Sequence, residues 1–383
     1  MRFTVLKTEL IAPLMAVAGV VPSRPALPIL ANVLVRCRGE SITLVTTDLE
    51  IEARAQAVLK SGADGEFTMP ARKALEICRN LPDDAVIDIA VETSKMTLKA
   101  GKSRFTLATS PPADFPGVEA SDWMLEIKLS ASELRKLLEK TQFCVAHQDV
   151  RYYLNGVLLD IEKNLLRAVG TDGHRMGTCE IAIEGVQELK PRPAASQDTG
   201  DADASGGHQA ILPRKGVQEM VHMLADMEGT VVLRLSANHV GVFGERMTLI
   251  SKLIEGRYPD YRRVIPANQP IHLRLDREQL RAALGRAAIL ANEKYHGVGF
   301  ELGKNQLRLS ARNPEQEEAV EEVMIEYSGE GVDIGFNVSY LRDALAAVES
   351  ETVEISLSNK DTGCVIRAPD DERNQYVVMP MRI

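Results

Sequence analysis

The sequence predicts an α+β protein of three similar domains, each holding two helices and about eight strands. Three observations carry this prediction. An apolar strand running into an amphipathic helix occurs three times, at 3–10, 127–134 and 273–280, with Leu10, Leu134 and Leu280 in matching places. A second helix start also occurs three times, at Pro70-Ala-Arg-Lys-Ala-Leu, Leu212-Pro-Arg-Lys-Gly-Val and Phe336-Asn-Val-Ser-Tyr-Leu. The offsets between matching segments agree with one another, which is the mark of internal repetition rather than chance.

From Leu10 to Leu134 is 124 residues, and from Thr47-Asp48 to Thr171-Asp172 is also 124. From Arg72-Lys73 to Arg214-Lys215 is 142, as it is from Arg104 to Arg246. The difference of 18 residues places an insertion between Asp172 and Arg214. Segment 190–207 fits it: rich in Pro, Gly, Ser and Asp and nearly free of apolar bulk. It is expected to be a disordered loop, tolerated because loop length costs little. The domains are then 1–124, 125–266 and 267–383, with linkers at 110–116 and 258–266.

The six helices are expected at 7–18, 71–80, 132–141, 214–227, 276–288 and 339–350. Ser130 with Glu133 and Asp276 with Gln279 have capping-box spacing, whereas Lys7 is a poorer cap. Pro70 and Pro213 suit a first helical turn, and Asn337 is a good cap. Segments 41–46, 96–100, 231–236 and 353–358 alternate with period two, as half-buried strands do.

Composition narrows the function. The 383 residues are enough for two or three cores, with 45% hydrophobic and 26% charged residues as in a soluble globular chain. Aromatics are only 4%, so the cores are expected to be aliphatic. Nothing at the start reads as a signal peptide, and the apolar run 11–21 is interrupted by Pro13 and Gly19. The five cysteines are scattered and odd in number, which argues for a reducing cytoplasm and against a disulfide or zinc framework.

A formal charge of -9 excludes a general nucleic-acid binder unless the positive charge is segregated. The six predicted helices hold 13 basic and 10 acidic residues, a net of +3, so the rest of the chain carries -12. Helices facing phosphate and sheets facing solvent would produce that split; ordinary solvated helix faces would as well.

Catalytic motifs are missing. There is no Walker loop, no Gly-x-Gly-x-x-Gly after a strand, no His-Glu-x-x-His and no Gly-x-Ser-x-Gly. None of the seven histidines pairs with another at ligand spacing. His174 follows Asp172-Gly173, which reads as a tight turn rather than an acid–base pair. Loop 146–154 ends in Arg151, Tyr152 and Tyr153, suited either to phosphate contact and stacking or to a core-packed strand entry. The apolar tail 376–383 reads as a final strand, while Met379 and Met381 around Pro380 would equally line an adaptable groove.

Five strings resemble one family in order and register. They are His147-Gln-Asp-Val-Arg-Tyr-Tyr-Leu-Asn-Gly, Thr171-Asp-Gly-His-Arg, Tyr258-Pro-Asp-Tyr-Arg-Arg, Asn313-Pro-Glu-Gln-Glu-Glu and Tyr376-Val-Val-Met-Pro-Met-Arg. Together they resemble the bacterial DNA polymerase III beta subunits, along the whole chain except the insertion. The resemblance implies a DNA clamp fold and a head-to-tail homodimer forming a ring of six domains with helices lining the hole. Such a protein holds double-stranded DNA without reading sequence, is not an enzyme and needs no cofactor or metal. It works in the cytoplasm, associated with the nucleoid and not with a membrane.

The resemblance also implies site residues. Arg24, Gln148, Tyr152 and Tyr153 look like duplex contacts, with Arg79, Arg214 and Lys215 as inner-face charges. A partner groove would use Leu154, Thr171, Gly173, His174, Arg175, Met176, Pro259, Arg263, Val264, Val377, Met379, Pro380, Met381 and Arg382. It would take short linear peptides from the DNA polymerase III catalytic subunit, the clamp loader, other polymerases and repair proteins. Met176 stands where the family usually has Leu, a swap expected to be nearly neutral. The dimer seam would set Lys73, Arg104 and Phe105 against Ile289, Leu290, Glu315, Glu317 and Glu318 of the other copy. Val320 stands where the family often has Glu. A monomeric repeat protein that binds other proteins through its sheets remains the alternative, as does an enzyme whose motif escapes recognition.

Overall fold

The computed structural model describes residues 1–92, 94–118, 122–190 and 207–383. Residues 191–206, the bulk of the expected insertion, lie outside it. The six helices are α1 (Lys7–Ala18), α2 (Ala71–Asn80), α3 (Ala131–Gln142), α4 (Arg214–Leu224), α5 (Arg277–Ala287) and α6 (Val338–Ala347). Each of the three repeats begins with a strand that runs directly into a helix: Arg2–Leu6 into α1, Leu125–Ser130 into α3, Ile271–Asp276 into α5.

Local chemistry explains most of these ends. Asp276 caps α5 by accepting from Gln279 N at 2.7 Å, and Asn337 caps α6 by accepting from Ser339 N and Tyr340 N. Ser130 Oγ lies 2.8 Å from Ser132 Oγ at the start of α3. Three expectations are corrected. Pro70 and Pro213 sit one residue before α2 and α4, as the last residues of their strands. Helix α4 stops at Leu224 because Ala225 and Asp226 turn back with three-residue bonds to His222 and Met223. Likewise α6 stops at Ala347, where Val348 swings to extended backbone and buries its side chain. Asp226, Asp276 and Glu349 therefore fall outside the helices. The observed helices hold 13 basic and 7 acidic residues, a net of +6 against -15 elsewhere. The charge separation is sharper than the sequence alone suggested.

The chain packs as two compact units, 1–135 with 183–206 and 215–254, and 136–182 with 207–214 and 255–383. The first unit carries a five-stranded and a nine-stranded sheet, the second an eight-stranded and a four-stranded sheet. The division runs through the middle repeat because its two sheets are joined edge to edge to different neighbours. In the first unit, Met247–Lys252 pairs antiparallel with Ile51–Val58, with Ile250 opposite Glu52. In the second, Arg175–Ala182 pairs antiparallel with Asn374–Val378, with Val377 opposite Met176. Repeats in sequence and units in packing are thus different divisions of one chain.

The cores are mainly aliphatic, as the low aromatic content predicts. In the second unit the few aromatics occupy central places. Phe300 and Phe336 meet edge to face at 5.7 Å, and Tyr376 is among the largest fully buried side chains. No helix of the described residues is long and apolar enough to cross a membrane.

Candidate functional site

Thr171 to Met176 forms a tight turn in the second unit, as Asp-Gly predicts. Asp172 Oδ1 accepts from His174 N at 2.9 Å and Arg175 N at 3.0 Å, and Gly173 takes φ +87, which a side chain would strain. Thr171 Oγ1 donates to Arg175 O at 2.6 Å. The turn is tied to the C-terminal tail, because Met379 N donates to His174 O at 2.9 Å. The last strand, Asn374–Val378, ends there, so Met379 is freed to reach 37% exposure. Beyond Pro380 the tail is caught again, with Met381 N donating to Gly335 O at 2.8 Å.

The residues assigned to a groove therefore divide into layers. Leu154, Met176 and Val377 are buried beneath the surface. Gly173, His174, Pro259, Arg263, Val264, Met379 and Arg382 are exposed. Thr171, Pro380 and Met381 are half-buried. Arg175 is turned inward. Its guanidinium contacts Asp343 at 2.6 Å and Asp172 at 3.1 Å and lies 4.4 Å from the Tyr340 ring centroid. Its side chain therefore ties the turn, through Asp172, to Tyr340 and Asp343 of α6. One residue was missed by sequence reasoning. A Cβ at Gly363 would lie 3.1 Å from Met379 Sδ and Val377 Cγ1. No motif marks Gly363; only the pairing of Cys364 with Val378 brings it there.

Loop 146–155 is held in shape by its own polar groups. Asn155 Nδ2 donates to Asp149 O and Asp149 N to Asn155 Oδ1, both at 2.9 Å. The Arg151 guanidinium beside Asp149 holds that carboxyl down at about 2. Tyr152 is exposed, its ring 5.7 Å from that of Tyr153, and Gln148 is exposed at φ +56. Arg214 buttresses this loop by donating to Val145 O at 2.9 Å. In the first unit, Arg24 and Arg79 are exposed, while the Lys215 ammonium is held by Asp48 and Val20 O. Arg214 and Lys215 are thus structural anchors as well as charges.

Two of the terminal strands of these sheets correspond to strands that pair between repeats. Ser103–Ala108 ends the five-stranded sheet, with Arg104 exposed and Phe105 half-buried. Glu318–Met324 ends the four-stranded sheet, with Glu318 exposed. Next to that edge, Ile289 is 76% exposed and Leu290 is half-buried. Lys73, Glu315 and Glu317 are exposed, although Glu317 also accepts from Asn313 Nδ2 at 2.6 Å.

Family models cover almost the whole chain. Residues 1–119 match the DNA polymerase III beta subunit N-terminal domain, 128–260 its central domain and 262–382 its C-terminal domain. The chain belongs to the bacterial β sliding clamps. It is 44% identical to the beta sliding clamp of Pseudomonas putida and 41% identical to that of Escherichia coli K12, each match covering both chains completely. Its fold matches the solved sliding clamp of Pseudomonas aeruginosa at TM-score 0.91 and 43% identity, and that of Caulobacter crescentus at 0.89 and 31%, again over full length. The architecture is the three-domain β clamp fold. The function is that of a DNA sliding clamp, the beta subunit of DNA polymerase III, a processivity factor and not an enzyme. DNA and a polymerase are its classes of partner.

Proposed function

We propose that two copies of this clamp close head to tail into a ring around duplex DNA, and that internal symmetry specifies the closure. The observation that carries the reading is that two terminal strands match, by repeat equivalence, the strands that pair between repeats. Each repeat offers one edge to the next: Ile51–Val58 takes Met247–Lys252, and Arg175–Ala182 takes Asn374–Val378. The third repeat offers Glu318–Met324 and finds no taker in its own chain. The first repeat holds the matching strand Ser103–Ala108, 142 residues before its counterpart in the second. A second copy completes both, which no monomeric scaffold does.

Equivalence also gives a register. Glu52, Met176 and Glu318 each face the last residue of the preceding strand, Thr47, Thr171 and Arg312. Ile250 faces Glu52, and its counterpart 142 residues earlier is Ala108. Ala108 of one copy then lies opposite Glu318 of the other, and Arg104 opposite Glu322. Lys73, Arg104 and Phe105 face Ile289, Leu290, Glu315, Glu317 and Glu318 across the seam, opposite charges setting orientation. Val320 leaves one place in the acidic run uncharged.

Inside the ring, Arg24, Arg79, Gln148, Tyr152 and Tyr153 contact the duplex, and the remaining helix charges supply a weak, sequence-independent attraction. On the surface, the Thr171–Met176 turn, the 258–266 linker and the Val377–Arg382 tail form a groove for short peptides of the polymerase III catalytic subunit, the clamp loader and other replication and repair proteins. The three domains are 1–124, 125–266 and 267–383, and the protein works in the cytoplasm beside the nucleoid. The test is retention on DNA after loading with the clamp loader and ATP, in moderate salt. Retention on circles with loss from linear ends is expected; equal behaviour on both forms overturns encirclement.

A further inference from the structure

The 258–266 linker carries three groove residues, Pro259, Arg263 and Val264, on a segment with little secondary structure of its own. Only Tyr261–Arg263 forms a turn of 3₁₀ helix. Something else must hold it, and a polar row across the underlying sheet does. Gln209, Asp160, Arg167 and Glu180 stand in register on four adjacent strands. Asp160 is only 3% exposed, so its carboxylate is a buried charge that must be matched. It accepts from Gln209 Nε2 at 3.3 Å, from Tyr261 Oη at 2.7 Å and from Arg262 Nη2 at 2.9 Å.

Arg167, whose Nε is held by Glu180, donates through Nη1 to Tyr261 Oη at 2.6 Å. The Tyr261 hydroxyl therefore accepts from Arg167 and donates to Asp160, using both of its capacities. A second fastening lies upstream, where the buried Tyr258 donates to Val169 O at 3.3 Å. Tyr261 is buried against this row and the exposed Arg262 reaches down to it, while Arg263 and Val264 are exposed without contacting it.

We propose that Asp160, Arg167 and Tyr261 are positioning residues for peptide recognition: they touch no peptide, but pin the linker so that Pro259, Arg263 and Val264 form a pre-set wall. The proposal rests on the groove reading above. A wall held by buried, mutually satisfied polar groups keeps its geometry before the peptide arrives, and that reduces the ordering cost of binding. The Asp160 row belongs to the strands His208–Pro213, Gly156–Glu162, Leu165–Thr171 and Arg175–Ala182, the last of which also carries Arg175 and Met176. One sheet thereby sets both the turn and the opposite wall.

The experiment is a double-mutant cycle on the full-length protein. The probe is a fluorescein-labelled peptide from the polymerase III catalytic subunit that binds the unmodified protein, read by anisotropy. Tyr261→Phe removes only the bridging hydroxyl and is expected to weaken binding about tenfold, with the oligomeric state in sedimentation unchanged. Arg263→Ala is expected to weaken binding as well, and the double variant to bind no worse than the weaker single one, because a displaced wall has no Arg263 contact left to lose. Additive losses mean that Tyr261 acts independently of the wall and overturn the proposal. So does undiminished affinity in Tyr261→Phe when Arg263→Ala weakens binding; the groove reading then stands. Unchanged binding in both Arg263→Ala and Val264→Ala sinks the groove reading and the proposal together. Should Tyr261→Phe lower the melting temperature sharply, Asp160→Asn, which keeps the shape of the row, runs the same cycle.

Discussion

Single residues in this clamp divide into those whose role follows from their chemistry and those whose role depends on what packs around them. Tyr376 lies in the string that resembles the family, yet its hydroxyl is buried without a hydrogen-bond partner. Burial pushes its phenol well above the usual tyrosine range. An unsatisfied buried hydroxyl costs free energy, so Tyr376→Phe is expected to stabilise the protein by about 1 kcal/mol. In thermal unfolding that corresponds to a rise of roughly 2 to 4 °C. Asp149 gives a pH prediction. Its folded pKa lies below the unfolded value, so its contribution is full above about pH 4 and is lost as the pH falls toward about 2. Loop 146–155 is therefore expected to hold its shape at pH 5, and to lose the Asp149–Arg151 contact only in strong acid. NMR chemical shifts of Tyr152 and Tyr153 followed against pH check this. Asn in place of Asp149 should abolish the acid transition.

At the scale of elements, the helices were largely legible in the sequence. Spacing places α1 and α2 at the residues observed, and the others within a few positions. Their ends were less legible, because Val348 leaves α6 for a burial site that no local pattern reveals. Strands were legible as strands, but their neighbours were not. Nothing local says that Met247–Lys252 pairs with Ile51–Val58, about two hundred residues away in sequence. Two predictions belong here. Phe105→Arg puts a charge into the edge strand Ser103–Ala108, beside the exposed Ile289 and half-buried Leu290 of the other copy in the proposed seam. It is expected to shift sedimentation from dimer toward monomer while the helical circular dichroism stays unchanged. Removal of Met379 to Ile383 takes away the exposed methionine and the Met381–Gly335 tie. It should abolish peptide binding and leave the dimer intact by the same sedimentation assay.

For the whole molecule, the acidic total and the basic helices are reconciled by segregation. A chain of -9 holds +6 on its helices, which suits a protein that must attract a duplex weakly in one place and repel it elsewhere. In the proposed ring, topological holding and electrostatic contact are separable. Arg24→Ala with Tyr152→Ala is expected to weaken salt-sensitive binding to short linear duplexes, read as a smaller dependence of affinity on salt. Retention on circles after loading should remain close to that of the unmodified protein, since closure and not contact supplies it. A parallel loss of circle retention would show that these contacts, rather than the ring, hold the DNA.

What the sequence determined by itself was the threefold repeat, the helix positions, the Asp172-Gly173 turn and the family. Each rests on short-range chemistry: period, capping, turn preference, or strings of residues a few positions long. Tertiary structure alone decided the rest. It turned Arg175 inward to Asp343 and Tyr340 and brought Gly363 against Met379. It also assembled Gln209, Asp160, Arg167 and Glu180 into one row beneath the linker. Those arrangements depend on strand register between segments far apart in the chain. Register follows from packing both faces of a sheet at once, which no local pattern of residues records.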